Sequence, residues 1–471
     1  MYLLRIRTLV LFVTLLCAGC SRKPTGPDEF EGLLTDEELL TPEDPDAPSE
    51  NPAWVNWIQQ NHYPIRSLTS HNFADLQFLK SYLAQKRIVQ LGESGHGVKE
   101  FNLIKVRLIK FLHEEMGFNV IAFESSVFEC FFAYRNRQAW SAEDIMRYSI
   151  YNVWHNQEVH DLFDYIKESN ETSNPLILAG IDITPSAYKE PFWGAKERPG
   201  FFKEVIENID PEYAQHIYEL DSEFIIMDAL PREEYQVWFQ ANLDGLKNEY
   251  INLLQFHDDH LDELLGIYQD EPLVPHFSRQ TAWSLLRYIY GGEAYQQGNF
   301  ENIRIREKGM ADNLEFLLNT AYPNDKVIIW AHNGHVGHDQ TEAQGGSIPW
   351  MGYWIYQRHQ TELYTIALNM YRGTAAEPPG TIYQITPAIS GSLESIFYRI
   401  RKKFSFVDLS RQEFSAGTSW MFEPITVKSW GLHDFSIVLR DEYSGILFID
   451  TVSPPDYMWW IEPCKTTSDI R

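Results

Sequence analysis

Apolar and polar positions follow two different periods along most of this chain. Short, unbroken apolar runs rich in β-branched residues predict strands that are buried on both faces of a sheet. Helical spacing of apolar positions separates the early runs, as in Phe101–Met116, which ends at Gly117 as a helix C-cap does. This alternation predicts an α/β fold with a largely parallel central sheet and flanking helices. The predicted strands are Ile88–Leu91, Val120–Phe123, Leu176–Ile183, Val327–Trp330, Tyr364–Leu368 and Ile446–Ile449.

The pattern changes between about residues 194 and 320, where long helical segments replace the strands. We expect a helical insertion there that forms a cap over the active end of the sheet. The α/β domain with this insertion is predicted to span residues 53–471. Residues 21–52 are rich in Pro, Asp and Glu, and this composition predicts a flexible acidic tether.

The first twenty residues have the features of a targeting signal. Arg5 and Arg7 precede an apolar run from Leu9 to Leu16 that is too short to be a good membrane span. The run ends in Cys-Ala-Gly-Cys, which resembles a bacterial lipobox, and plain secretion is the alternative. We expect residues 1–20 to be a lipoprotein signal peptide, with a lipid on Cys20. The lipid would anchor the protein to a membrane of the bacterial cell envelope, with the outer membrane favoured.

Charge and cysteine content limit the class of partner. The 471 residues carry a net charge of -27, so the basic face that a nucleic-acid partner needs is not expected. Besides the cysteines of the signal, the chain contains only Cys130 and Cys464, which do not make a disulfide framework. We predict a small-molecule substrate and no cofactor.

Four predicted strands are followed by polar side chains. Parallel strands bring their carboxyl ends to one edge of a sheet, so these side chains should meet in one pocket. Glu93 and His96 form the strongest pair, because a carboxylate beside an imidazole orients the ring and raises its basicity. The pocket would hold the groups of general acid–base hydrolysis, namely Glu93 and His96, Glu124, Asp182, and His332, Asn333 and His335.

Parts of the pattern bear on other mechanisms and functions, and two of these remain as alternatives. Ser94 is not expected to be a nucleophile, because a nucleophile elbow has Gly two residues after the Ser and this chain has His96 there. Water activated by His96 is therefore the predicted nucleophile. The spacing of His332, His335 and His338 leaves a metal-dependent hydrolase or peptidase as an alternative. Aromatic clusters leave a ligand-capturing surface lipoprotein without catalysis as another; they include Trp350–Tyr356 and Tyr457–Trp460.

Several motifs together resemble the erythromycin esterase family. G-E-S-G-H-G (residues 92–97) is followed by N-V-I-A-F-E-S-S (residues 119–126). The later blocks are R-E-K-G-M-A-D-N (residues 306–313), W-A-H-N-G-H-V-G (residues 330–337) and M-G-Y-W (residues 351–354). They occur in the order in which that family has them. The resemblance implies a hydrolase that opens an ester or a lactone, with macrolides among the implied substrates.

The resemblance also implies roles for single residues. Its catalytic groups correspond here to Glu93, His96, Glu124 and His332, with His332 as a general acid or an oxyanion stabiliser. The family usually has an Arg nine residues after the motif His, whereas this chain has Lys105, and Gly95 replaces a common hydroxyl residue. We assign substrate binding to Lys105, Arg107, Trp154, Asn333 and His335. Core packing is the alternative for Trp154 and for His335.

Overall fold

The structure is a computed structural model that describes residues 31–185, 194–298, 300–339, 348–377, 381–458, 460 and 465–466. The predicted signal peptide, including Cys20, lies outside these ranges, as does Cys464. Among the helices that the structure describes, none is both long and apolar enough to cross a membrane.

A large sheet forms the centre of the domain. Its main path runs in the order β1-β8-β11-β6-β2-β5-β3-β4, and the six strands from β11 to β4 are parallel. The α/β prediction is confirmed, and each of the six predicted strands is present. The described strands are β1 (Tyr63–Pro64), β2 (Ile88–Leu91), β3 (Phe118–Ser126), β4 (Ile177–Asp182), β5 (Lys326–Trp330), β6 (Leu363–Glu377), β7 (Thr381–Gln384), β8 (Phe404–Asp408), β9 (Ile425–Ser429), β10 (His433–Ile437), β11 (Gly445–Val452) and β12 (Lys465–Thr466).

Helices cover both faces of this sheet. Helix α3 begins at Lys99 and ends before Gly117, whose φ of 69° fits the predicted C-cap. Before β2, a short 3₁₀ turn (Ala74–Leu76) is followed by α2. The described α-helices are α1 (Pro52–Asn61), α2 (Leu79–Leu83), α3 (Lys99–Met116), α4 (Val127–Arg135), α5 (Ala142–Ser149), α6 (Gln157–Ser169), α7 (Arg198–Ile206), α8 (Pro211–Asp228), α9 (Arg232–Ile267), α10 (Leu273–Gln296), α11 (Glu301–Phe316), α12 (Asn333–Val336), α13 (Met351–His359), α14 (Leu393–Tyr398), α15 (Ser419–Phe422) and α16 (Leu439–Glu442).

The order of the strands reverses beside β2. Strands β5, β3 and β4 lie on one side of β2, whereas β6, β11 and β8 lie on the other. A crevice opens at the carboxyl ends of the strands at such a switch point, and ligands of open α/β sheets bind there. The turn that follows β2 is therefore at the position where this topology places a site.

Helices α7 to α11 occupy the chain between β4 and β5, where the sequence predicts the helical insertion. Part of the insertion has its own apolar core, built from residues such as Phe202, Ile217, Tyr250 and Leu253. Helix α11 is different, because it packs along β4 and reaches the carboxyl edge of the sheet.

The segment that was predicted to be a flexible tether is in part packed on the domain. Leu39 is completely buried, and the backbone of Leu40 pairs with that of Lys402. The guanidinium of Arg399 donates to the carbonyl of Pro48. Proline has no backbone N–H, so a proline-rich segment leaves carbonyls without backbone partners. An arginine side chain with several donors is able to bind such carbonyls. Any flexible tether is therefore shorter than residues 21–52.

Candidate active site

Glu93 lies at the centre of a buried hydrogen-bond network behind the turn after β2. Its Oε1 accepts from His96 Nδ1 at 2.6 Å and from Trp154 Nε1 at 2.9 Å. Its Oε2 accepts from Lys105 Nζ at 2.7 Å. Nδ1 of His96 is thereby committed as a donor to Glu93, and the lone pair of a neutral His96 ring is on Nε2.

The negative charge of Glu93 and the positive charge of Lys105 balance each other inside the protein. Burial raises the pKa of the Glu93 carboxyl, but the Lys105 ammonium and the His96 ring outweigh burial and bring that pKa below its ordinary value. Burial lowers the pKa of Lys105 to about 8, although Glu93 acts against it. At neutral pH Glu93 is therefore ionised and Lys105 protonated. Glu93 therefore presents a fixed negative charge to Nδ1 of the His96 ring.

Two close backbone approaches fix the turn in place. An ideal Cβ at Gly92 would lie 2.2 Å from Oδ1 of Asn333, and one at Gly97 would lie 1.7 Å from the carbonyl oxygen of Ala376. Any side chain at either position would force its neighbours apart. The amides of Gly92, Ser94 and Ala376 add hydrogen bonds between the turn and β6 of 2.8, 3.1 and 2.9 Å.

His332 faces His96 across the crevice, with ring centroids 5.4 Å apart. Its Nδ1 accepts from the amide of Gly334 at 3.0 Å, so a neutral His332 carries its proton on Nε2. Burial lowers the pKa of His332 to about 3, and His96 and His335 act in the same direction. None of the described residues accepts a hydrogen bond from the buried Nε2. His332 is thus a neutral ring that presents an N–H donor.

Glu124 and His335 form a second charged network beside the first. Glu124 lies at the register shift near the end of β3 and accepts from the amide of His332 at 3.1 Å. His335 donates from Nε2 to Glu124 at 3.0 Å and from Nδ1 to Glu307 at 2.9 Å. Burial alone would lower the pKa of His335, but these two carboxylates raise it to about 10. His335 is therefore a permanent cation at neutral pH.

Arg306 of α11 closes this network. Its Nη2 pairs with Asp182 at 2.5 Å and with Glu124 at 3.0 Å. Burial opposes the charge on Glu124, yet His335 and Arg306 hold its pKa well below the ordinary value. Two cations thus keep Glu124 ionised, which removes it as a proton donor.

The arrangement does not form the serine or metal sites that parts of the sequence allow. Ser94 is 2% exposed, and its hydroxyl is not hydrogen-bonded to His96 or to another described residue. His338 does not join His332 and His335, because its Nε2 contacts the hydroxyl of Thr365 at 2.8 Å. Within the described ranges, the group with metal-like spacing is a different one, formed by His160, Asp161 and Asp164.

Four of the residues assigned to substrate binding have other roles. The assignment is wrong for Arg107, whose guanidinium is buried against Asp75 and loop carbonyls. Lys105 and Trp154 are both 0% exposed, and both donate to Glu93. Asn333 is also buried, and it donates to the carbonyl of Leu368.

The structure brings together Glu93, His96, Glu124, His332 and His335. Sequence reasoning missed Glu307, although it lies in the quoted block of residues 306–313. It also missed Trp430, whose indole lies against both His96 and His332. Trp430 has no local motif that would have identified it. The packing of these rings leaves the His96 side chain only 15% exposed, so His96 is not on a loosely packed surface turn.

Comparison with known proteins is consistent with this geometry. Residues 113–452 match the erythromycin esterase family, a range that includes Glu124 and His332 and begins after the 92–97 turn. The chain is 32% identical over 430 residues to the putative hydrolase YbfO of Bacillus subtilis, covering 87% of this chain and 93% of that protein. It is 24% identical over 299 residues to an erythromycin esterase type II of Escherichia coli, covering 59% of this chain and 68% of that protein.

Solved structures show the same fold. A Bacillus cereus protein has a TM-score of 0.72 and 18% identity, covering 87% of this chain and all of that chain. An erythromycin esterase mutant in its open conformation has a TM-score of 0.64 and 17% identity, covering 84% and 98%. The family and the relatives support a hydrolase that acts on a small molecule. On the length of the family match and the identity to YbfO, the chain belongs to the erythromycin esterase family.

Proposed function

We propose that this protein hydrolyses an ester or a lactone by adding a water molecule that His96 activates. The observation that carries the proposal is the pair of facing imidazoles. His96 is held by Glu93 through Nδ1 at 2.6 Å, and His332 carries a neutral N–H without a described partner 5.4 Å away, centroid to centroid. One ring is suited to accept a proton and the other to donate a hydrogen bond.

The reaction begins when Nε2 of His96 removes a proton from water as the water oxygen attacks the carbonyl carbon. Glu93 remains ionised and stabilises the imidazolium that forms. The carbonyl oxygen gains negative charge, and the N–H of His332 donates a hydrogen bond to it. Because the ring is already neutral and held by Gly334, no reorganisation is needed as this charge develops.

The tetrahedral intermediate then collapses with breakage of the bond between the carbonyl carbon and the alkoxy oxygen. His96 returns its proton to the leaving oxygen, so the products are a carboxylic acid and an alcohol. In a lactone both groups remain on one molecule. The Glu124, His335 and Arg306 network does not exchange protons in this scheme, and it holds the backbone of His332 through the contact to Glu124.

A panel of linear esters, lactones and macrolides tests the proposal with the purified full-length chain. For any substrate that turns over, His96→Ala should lower kcat by about 10²–10⁴, the usual contribution of a general base. Ser94→Ala is the matched control from the same turn and should remain active, because its hydroxyl is not bonded to His96. Full activity in His96→Ala, or burst kinetics that disappear in Ser94→Ala, would instead indicate a different nucleophile.

We also propose that a lipid on Cys20 anchors the protein to the bacterial cell envelope, with the outer membrane favoured. The charged start, the short apolar run and the Ala-Gly-Cys sequence support this proposal. The substrate would then be a small molecule that reaches the envelope.

A further inference from the structure

The β9–β10 hairpin places Trp430 in an unusual backbone conformation. Trp430 has a φ of 57° and the following Gly431 a φ of 68°, as in a type I′ turn, and the amide of Leu432 donates to Ser429 at 3.1 Å. Such turns favour Asn, Asp or Gly at the first of these positions, because a Cβ is strained there. Strain of this kind is kept where the side chain has a function.

The indole of Trp430 lies at the two rings of the proposed reaction. It meets the edge of His96 at 5.0 Å between centroids and stacks on His332 at 5.5 Å with an interplanar angle of 23°. Trp154 contacts His96 at a similar distance, 5.2 Å, but it is fully buried and donates to Glu93. Trp430 is only half-buried, and its indole N–H donates to none of the described residues.

The hairpin is fixed to the turn after β2 rather than to the main sheet. The amide of Trp430 donates to the carbonyl of Ser94 at 2.5 Å. An ideal Cβ at Gly95 would lie 3.4 Å from Cα and 3.6 Å from Cε3 of Trp430, so the indole occupies the space into which a longer side chain at 95 would extend. On the other side, Thr386 donates to the carbonyl of Gly431 at 2.9 Å. The indole is thereby held in register with His96.

We infer that Trp430 is a specificity-determining residue that forms an apolar wall for the group attached to the substrate carbonyl. The inference rests on the proposed function, because Trp430 lies against both rings, and a carbonyl bound by His96 and His332 has its substituent beside this indole. A partly exposed indole favours a flat or ring-shaped apolar group over a methyl group. The substrate class is thus an ester whose carbonyl is adjacent to a bulky apolar ring.

The test compares two esters, methyl acetate and methyl cyclohexanecarboxylate, with the full-length chain. The wild-type protein should prefer the ring ester in kcat/KM, and Trp430→Ala should reduce that preference by about tenfold, mainly through KM. Trp430→Phe should recover most of it. Phe414→Ala, which removes an aromatic ring that is 63% exposed elsewhere, should leave the preference unchanged.

Trp430→Asn separates recognition from folding, because Asn tolerates a positive φ in such a turn. It should keep the thermal midpoint of the wild-type protein and lose the ring preference as Trp430→Ala does. Equal losses of kcat on both esters, or no ring preference in the wild-type protein, would overturn the inference in favour of a packing role for Trp430.

Binding of two poorly hydrolysed amides keeps the inference separate from the proposed function. Calorimetry should show about tenfold weaker binding of cyclohexanecarboxamide to Trp430→Ala, with the binding of acetamide little changed. If neither these esters nor any member of the ester, lactone and macrolide panel turns over but this difference is found, the hydrolytic proposal fails and the apolar wall stands. If both amides bind equally to the two proteins, the wall is refuted whatever the activity.

Discussion

Replacing Lys105 by Met isolates the contribution of a buried charge that never touches substrate. Lys105 is 0% exposed and pairs with Glu93 at 2.7 Å, with a second contact of 3.3 Å to the carbonyl of Ala331. Met has a similar length and leaves no large cavity. Removal of one partner of a buried pair penalises the remaining charge by about 3–5 kcal/mol. The pKa of Glu93 should therefore rise, because burial then acts against a weaker set of partners.

A penalty of about 3 kcal/mol on ionised Glu93 corresponds to a factor of about 10². Because the pKa of Glu93 starts below its ordinary value, a factor of this size leaves Glu93 mostly ionised at pH 7. We therefore expect kcat of Lys105→Met to fall relative to the wild-type protein as the pH is lowered below neutrality, because a protonated Glu93 does not stabilise the imidazolium of His96. The rate should recover as the pH is raised, by up to about tenfold per unit, as Glu93 loses its proton. Pre-steady-state or steady-state pH–rate profiles with any active ester measure this.

The unfolding free energy of Lys105→Met should change with pH in the direction opposite to the rate. A Glu whose folded-state pKa is raised binds a proton in the native state that the unfolded chain releases. The unfolding free energy of Lys105→Met should therefore fall with rising pH by up to about 1.4 kcal/mol per unit, in a window that begins at the ordinary pKa of Glu. Urea unfolding at several pH values tests this. Lys105→Arg keeps the charge and is the matched control, with activity and pH profile close to those of the wild-type protein. A Lys105→Met protein with the wild-type pH profile would refute the role given to the Lys105–Glu93 pair.

Two further outcomes follow from the structure and one from the sequence. His332→Ala should lower kcat by about 10²–10³ with little change in KM, as removal of an oxyanion donor does, and steady-state kinetics on an active ester would show a KM effect if the ring bound the ground state instead. The raised pKa of His335 contributes stability that is fully present below about pH 6.5 and is lost as the pH rises through about 10. Urea unfolding should show this decline, on the order of a few kcal/mol, in the wild-type protein and not in His335→Gln; parallel pH profiles would contradict it. Mass spectrometry of the membrane fraction should find an acylated peptide that begins at Cys20, whereas a soluble protein starting elsewhere would exclude the anchor.

The sequence predicts well those parts of the fold that depend on local pattern. The six parallel strands are mainly apolar runs, and the polar residues that follow them meet because parallel strands end at one edge. By contrast, β8 carries a polar Ser between its apolar residues and joins the sheet antiparallel, and no simple run identifies it. The packing of the segment around Leu39 was harder to predict, because a single leucine gives little apolar pattern in an otherwise polar segment.

The site shows the same division between local and tertiary information. Glu93 and His96 share one short turn, so their pairing follows from three residues of spacing. Glu307 comes from a helix and Trp430 from a distant hairpin, and only tertiary packing brings them to the crevice. Lys105 was assigned to substrate binding for a related reason. Its spacing places it on helix α3 close to the turn, but its ammonium is buried beneath Glu93 and is not directed toward a ligand.

The backbone hydrogen bonds between the turn of residues 92–97 and β6 have a consequence for how the protein unfolds. With its amides bonded to a central strand and a Cβ excluded at Gly97 by the carbonyl of Ala376, this turn cannot open without separating strands of the sheet. Regions that fray at low free energy are those with few such bonds, and this turn is not one of them. The amide protons of Gly92 and Ser94 should therefore exchange with solvent only through openings as costly as global unfolding. In a denaturant titration, the hydrolytic centre would then survive until the domain itself melts, so loss of activity and loss of the fold would be a single event.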